Sequence, residues 1–187
     1  MNTEDFLSVK ELLSKPQKIA IVTHRNPDGD AYGASLALYL FLKKLDHQVS
    51  VVSPNDCPEF LKWLPGESDI VIFEKNKKEG SRILKEAALV FTLDFNAFHR
   101  LGEPMQALME QIDPVYIMID HHQQPDDYAA YSYVDPSMSS TSQMIYQFIE
   151  KMDQIDLVDK DVATCLYAGI LTDTGSFRFP ATTSHTH

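Results

Sequence analysis

Eight side chains in this sequence have the types and spacing to do chemistry together: His24, Asp28, Asp30, Asp94, Asp120, His121, His122 and Asp173. All are carboxylates or imidazoles. That donor set suits Mn²⁺ or Mg²⁺; Zn²⁺, Co²⁺ and Fe²⁺ are less favoured. The groups are too many for one divalent ion and enough for two. Two ions about 3.5–4 Å apart, sharing a carboxylate, activate water for in-line attack on phosphorus. No Ser or Cys stands in a nucleophile-elbow context. Gly29-Asp30-Ala31-Tyr32-Gly33 misses the dinucleotide fingerprint, and no Walker-type Gly-Lys-Ser/Thr occurs. Plainer readings stay open for each group alone. Asp120-His121-His122 can be a polar turn with half-exposed histidines, and Asp28 or Asp30 an ordinary helix cap.

The elements that must position these groups are strands that end where the ligands begin. Ile19–Val22 is a compact apolar run leading into His24-Arg25-Asn26-Pro27-Asp28-Gly29-Asp30, in which Pro27 and Gly29 force a turn. Residues 31–45 favour helix. Residues 88–93 end at Asp94, and residues 115–119 end at Asp120. Further strands are expected at 48–53, 69–73 and 131–134. Helices are expected at 4–14, 79–87, 103–112, 141–152 and 159–171, with one short helical turn at 58–64. Trp63 in that turn reads as a packing residue. Strands alternate with helices from Ile19 to Asp120, which predicts an α/β fold with a mainly parallel sheet. Right-handed crossovers would bring His24, Asp94 and Asp120 to the carboxyl edge of that sheet.

The bulk composition narrows the partners. With 187 residues and 44% hydrophobic content, the chain can bury one full core. Its 27 acidic against 16 basic residues give a net charge of −11. That disfavours a tight grip on long nucleic acid, which needs clustered Lys and Arg. A small phosphorylated substrate stays compatible if metal ions supply local positive charge. Cys57 and Cys165 form no disulfide or metal-binding spacing. The N-terminus lacks a signal-peptide pattern, and no apolar run approaches the ~20 residues that span a bilayer. A cytoplasmic setting, with no membrane partner, is the expectation.

Taken together, His24 to Gly33, Asp94, Asp120-His121-His122 and Thr172-Asp173-Thr174-Gly175 resemble the four motifs of the DHH phosphoesterases. The resemblance covers roughly residues 15–187. Ser137–Ser142 and the segment from Thr174 to Pro180 are most similar to the nanoRNase subgroup that also acts on pAp, 3′-phosphoadenosine 5′-phosphate. The resemblance implies one ion held by His24, Asp28 and Asp94, and a second held by Asp30, Asp94, His121 and Asp173. It implies that His122 meets the scissile phosphate, stabilising charge or protonating the leaving oxygen, and that Asp120 orients His121. Arg100 and Ser140 are candidate phosphate contacts; a surface ion pair and a helix cap are their plain alternatives.

The function so implied is two-metal hydrolysis, most suited to Mn²⁺, of very short oligonucleotides and of a nucleotide bisphosphate. Hydrolysis of cyclic or linear dinucleotides is the alternative within enzymes. A catalytically silent metal-binding domain is the alternative of another class. Family members carry a second, smaller domain with a glycine-rich substrate grip, whereas this chain has no Gly-Gly pair and no glycine after Gly175. Residues 1–187 are therefore expected to be a single catalytic domain without that C-terminal partner. Freed apolar helix faces could also support a homodimer.

Overall fold

The computed structural model describes residues 2–187. Six parallel strands form one sheet: β1 (Lys18–Thr23), β2 (Gln48–Ser53), β3 (Val71–Ile72), β4 (Leu89–Leu93), β5 (Val115–Asp120) and β6 (Tyr131–Val134). Their order is β3-β2-β1-β4-β5-β6, every neighbouring pair being parallel. The order reverses between β1 and β4, and open α/β sheets bind ligands at such a switch point. Register then lines up the candidate ligands. Thr23 pairs with Leu93, and Leu93 with Ile119, so His24, Asp94 and Asp120 follow in one row at the carboxyl edge.

Among the described residues six α-helices cover the sheet: α1 (Thr3–Leu12), α2 (Gly29–Lys44), α3 (Lys77–Glu86), α4 (Glu103–Met109), α5 (Thr141–Lys151) and α6 (Lys160–Asp173). Alternation along the strands sends side chains to opposite faces. Ile19, Ile21, Phe91 and Ile117 join α1, α2, α5 and α6 in the larger core, where Phe148 sits edge-on to Phe91 and Phe6. Ala20, Val22 and Val90 face Leu84 of α3 and Met105 and Met109 of α4 in the smaller one. Thirteen of the sixteen α2 residues are buried, so α2 has no solvated face and runs through the middle of its layer. It meets α6 with almost no side chain between the backbones. A Cβ on Gly33 would stand 2.6 Å from the Cys165 carbonyl oxygen and 2.9 Å from Gly169. That close approach sets Asp30, at the start of α2, near Asp173, at the end of α6.

Three expectations need correction. The strand read at 69–73 is only Val71–Ile72, because residues 67–69 form a 3₁₀ turn in which Asp69 accepts a 2.8 Å bond from the Tyr39 hydroxyl. The last helix runs past Leu171 to Asp173, so that candidate ligand sits on a helix end instead of a loop. Trp63 is 63% exposed and is not a core residue. No helix among the described residues is long and apolar enough to cross a membrane.

Candidate metal centre

All eight predicted groups converge at the switch point, arranged around Asp94. Asp94 follows β4 with a φ of +64°, a left-handed conformation that costs free energy in a non-glycine residue. This turn carries its side chain into the site, where it is 2% exposed. Its Oδ2 lies 3.5 Å from His24 Nε2, and its Oδ1 lies 3.5 Å from His121 Nε2. One carboxylate thus stands between two clusters, His24-Asp28-Asp94 on one side and Asp30-His121-Asp173 on the other.

Each remaining group is held by the local fold. Asp28 is the N-cap of α2, accepting from the Asp30 and Ala31 amides, so the capping and cluster readings both hold for it. The loop before it bends through Asn26 at φ +55°, and Asn26 N–H donates to Asn55 Oδ1 at 2.7 Å. Asp30 is buried in the first turn of α2. Its two oxygens accept from the Ser142 and Thr141 amides at 2.8 and 2.6 Å, which satisfies donors that the N-terminus of α5 would otherwise leave unpaired. Asp173 Oδ2 lies 3.5 Å from His121 Nε2.

The histidine tautomers follow from their partners. His24 Nδ1 lies 2.8 Å from the Arg25 carbonyl oxygen, and His121 Nδ1 lies 3.3 Å from that of Met138. A carbonyl only accepts, so each Nδ1 carries a proton and each ring turns its Nε2 toward carboxylates. At His24, whose ring burial keeps neutral, lone pair faces lone pair at 3.5 Å, which is repulsive without a cation between them. Among the described residues no Lys or Arg pairs with Asp28, Asp30, Asp94, Asp120 or Asp173. Burial, followed by the charges of Asp30 and Asp28, pushes the Asp94 carboxyl well above the usual range. Burial also raises Asp30, and burial with the Asp30 charge raises Asp173 to about 6. Burial lowers His24, which keeps its ring neutral. These donors fit divalent cations, because a cation between them relieves every one of these strains.

His122 also forms a group with Asp94 and His121, and it is the most exposed of the three histidines. Its Nδ1 lies 2.8 Å from Asp120 Oδ1, and this bond is the main reason its pKa is raised. The side chain is 44% exposed and lies beside the clusters, with Nδ1 3.9 Å from Asp94 Oδ1. Here the sequence expectation is corrected: Asp120 holds His122, not His121, whose Nδ1 is taken by Met138. Asp120 itself is fully buried, and its Oδ2 has no partner among the described residues.

Arg100 lies in a 3₁₀ turn after β4, exposed and without an ion pair among the described residues. Its charge is felt at both His24 and His122. Ser140 is fully buried and caps α5, accepting from Gln143 N–H at 3.1 Å. Sequence reasoning passed over Thr141, whose hydroxyl donates to Asp94 Oδ1 at 2.9 Å. The only sequence signal was the run of hydroxyls from Ser137 to Ser142.

Residues 18–170 match the DHH family, N-terminal domain, and the chain belongs to that family. Among curated relatives, the bifunctional oligoribonuclease and PAP phosphatase NrnA of Thermus thermophilus is 36% identical over 169 residues, covering 88% of this chain and 46% of the relative. The cyclic-di-AMP phosphodiesterase PdeA of Listeria monocytogenes is 24% identical over 178 residues, covering 91% of this chain and 27% of that protein. An exopolyphosphatase-related protein from Bacteroides fragilis superimposes with a TM-score of 0.95 at 36% identity, over 98% of this chain and 54% of its own. The chain therefore spans about half the length, or less, of the relatives it matches.

Proposed function

We propose that this domain carries the metal centre of a phosphoesterase acting on very short oligonucleotides and on pAp. The position of Asp94, with one oxygen toward His24 and the other toward His121, supports this reading above all. His24, Asp28 and Asp94 would hold one divalent ion, best suited to Mn²⁺; Asp30, Asp94, His121 and Asp173 would hold the other. Bound ions would supply Lewis acidity toward phosphate oxygens and an activated water. The chain's own residues do the rest. The Arg25 and Met138 carbonyls fix the rings of His24 and His121. Asp120 holds His122 with Nδ1 protonated, so that Nε2, when also protonated, can donate to a phosphate or leaving-group oxygen. Arg100, without an ion pair among the described residues, adds a positive charge at the rim of an otherwise acidic site.

The substrate class rests on the relatives. The name of the Thermus protein joins oligoribonuclease and PAP phosphatase activities. The Listeria relative favours a second reading, cyclic-dinucleotide hydrolysis, at the same metal centre. Incubation with Mn²⁺ and a 5′-phosphorylated RNA dinucleotide, with a cyclic dinucleotide run in parallel, separates them. Release of mononucleotide from the linear substrate, lost in Asp94→Asn together with both ions, is the expected result. Cleavage of the cyclic substrate alone would move the assignment to the second reading. Bound metal with no cleavage of either would overturn the enzymatic reading for this chain and leave a metal-binding domain.

A further inference from the structure

Thr141 opens α5, is fully buried, and lies on no strand or motif loop that carries a candidate ligand. Its backbone N–H donates to Asp30 Oδ2 at 2.6 Å, and its hydroxyl donates to Asp94 Oδ1 at 2.9 Å. Among the described residues it alone hydrogen-bonds both carboxylates. Asp30 comes from α2 and Asp94 from the end of β4, so Thr141 joins two elements that otherwise bring their charges together unaided.

The hydroxyl bond is asymmetric. A carboxylate oxygen has about two acceptor sites. Thr141 occupies one site on Oδ1, the oxygen 3.5 Å from His121, and leaves Oδ2 to face His24. The bond fixes rotation about the Asp94 Cβ–Cγ bond, so the second site on Oδ1 stays turned toward the His121 cluster. Among the described residues no other hydrogen bond reaches this carboxylate. We infer that Thr141 is a positioning residue that makes Asp94 a two-sided ligand, and that it sets metal affinity on the His121 side selectively. The inference rests on the two-ion reading above and deepens it.

The variant that isolates the hydroxyl is Thr141→Val. It keeps the N–H bonded to Asp30 and the β-branched shape, and removes only the donor to Asp94. Mn²⁺ is titrated calorimetrically into the 187-residue chain. Wild type is expected to bind two ions, and Thr141→Val to bind one with unchanged affinity and the other about tenfold or more weakly, the scale of loss typical when a partner that orients a ligand is removed. Thr141→Ser, which restores the donor, is expected to recover both affinities to within about threefold.

A general structural role would not be selective. In His121→Ala, which leaves only the His24 side intact, adding Thr141→Val is therefore expected to change the remaining Mn²⁺ affinity less than about threefold. If valine unfolds the chain, Thr141→Ala carries the same test with a smaller side chain. Equal loss at both ions, or two ions bound by Thr141→Val as tightly as by wild type, overturns the role of Thr141 alone. A wild-type chain that binds no Mn²⁺ overturns the two-ion reading and this inference with it.

Discussion

Replacing Asp173 by asparagine should stabilise the metal-free protein and weaken the metal-loaded one. Asp173 ends α6, where the helix dipole is negative, and it faces the charge of Asp30. Burial first, and Asp30 second, raise its pKa from 3.8 to about 6. An acid with a raised folded pKa holds its proton more tightly in the fold than out of it. Its favourable contribution is complete below the unfolded value near 3.8 and is lost as pH rises through about 6. At 1.36 kcal/mol per pH unit, ionising Asp173 at neutral pH costs up to about 3 kcal/mol. In a domain of this size that corresponds to roughly 6–12 °C in Tm. Thermal unfolding of wild type and Asp173→Asn, in excess chelator at pH 4 and pH 7.5, measures it. The curves should nearly coincide at pH 4, and the variant should melt higher at pH 7.5. Saturating Mn²⁺ should reverse the order at pH 7.5. An Asp173→Asn protein that melts no higher than wild type in chelator at pH 7.5 would refute the argument that uncompensated carboxylate charge strains this site.

Two other perturbations test separate parts of the site. Asp120→Asn replaces the charged acceptor of His122 Nδ1 by a neutral one, so His122 should lose its second proton at lower pH. The alkaline limb of the pH–rate profile for dinucleotide cleavage should move to lower pH while Mn²⁺ stoichiometry stays at the wild-type value; an unmoved limb would remove His122 from proton work. Gly33→Ala forces a Cβ to within 2.6 Å of the Cys165 carbonyl at the α2–α6 crossing. Overpacking of this kind costs about 1–3 kcal/mol, and here it should also weaken Mn²⁺ binding by moving Asp30 away from Asp173. Denaturant unfolding and metal titration on the same preparation check both effects.

Much of this site is legible in the sequence, because residue types mark the strand ends. An apolar run followed by a ligand-type residue marks β1 with His24, β4 with Asp94 and β5 with Asp120, and parallel register does the rest. The parts that were misread depend on contacts between distant segments or on side-chain rotation. Adjacency in Asp120-His121-His122 does not say which ring turns toward Asp120; the Met138 carbonyl, 17 residues beyond His121, takes that ring and leaves His122 for Asp120. The expected end of the last helix, Leu171, falls short of Asp173, an acid at the negative end of the helix dipole. The fold accepts that local conflict at a candidate metal site, and conflicts of this kind concentrate at functional sites. Thr141 was hidden by its capping-type neighbourhood. The cap is real, but it belongs to Ser140, and the next hydroxyl faces Asp94. The short β3 edge yielded to a tertiary bond between Asp69 and Tyr39 that local propensity could not show.

Anomalous diffraction from crystals of the chain grown with Mn²⁺ tests the central claim most directly. Two peaks about 3.5–4 Å apart are predicted, one touching Asp94 Oδ2 beside His24 and Asp28, the other touching Asp94 Oδ1 beside His121, Asp30 and Asp173. A single peak, or two peaks that do not share Asp94, would contradict the account.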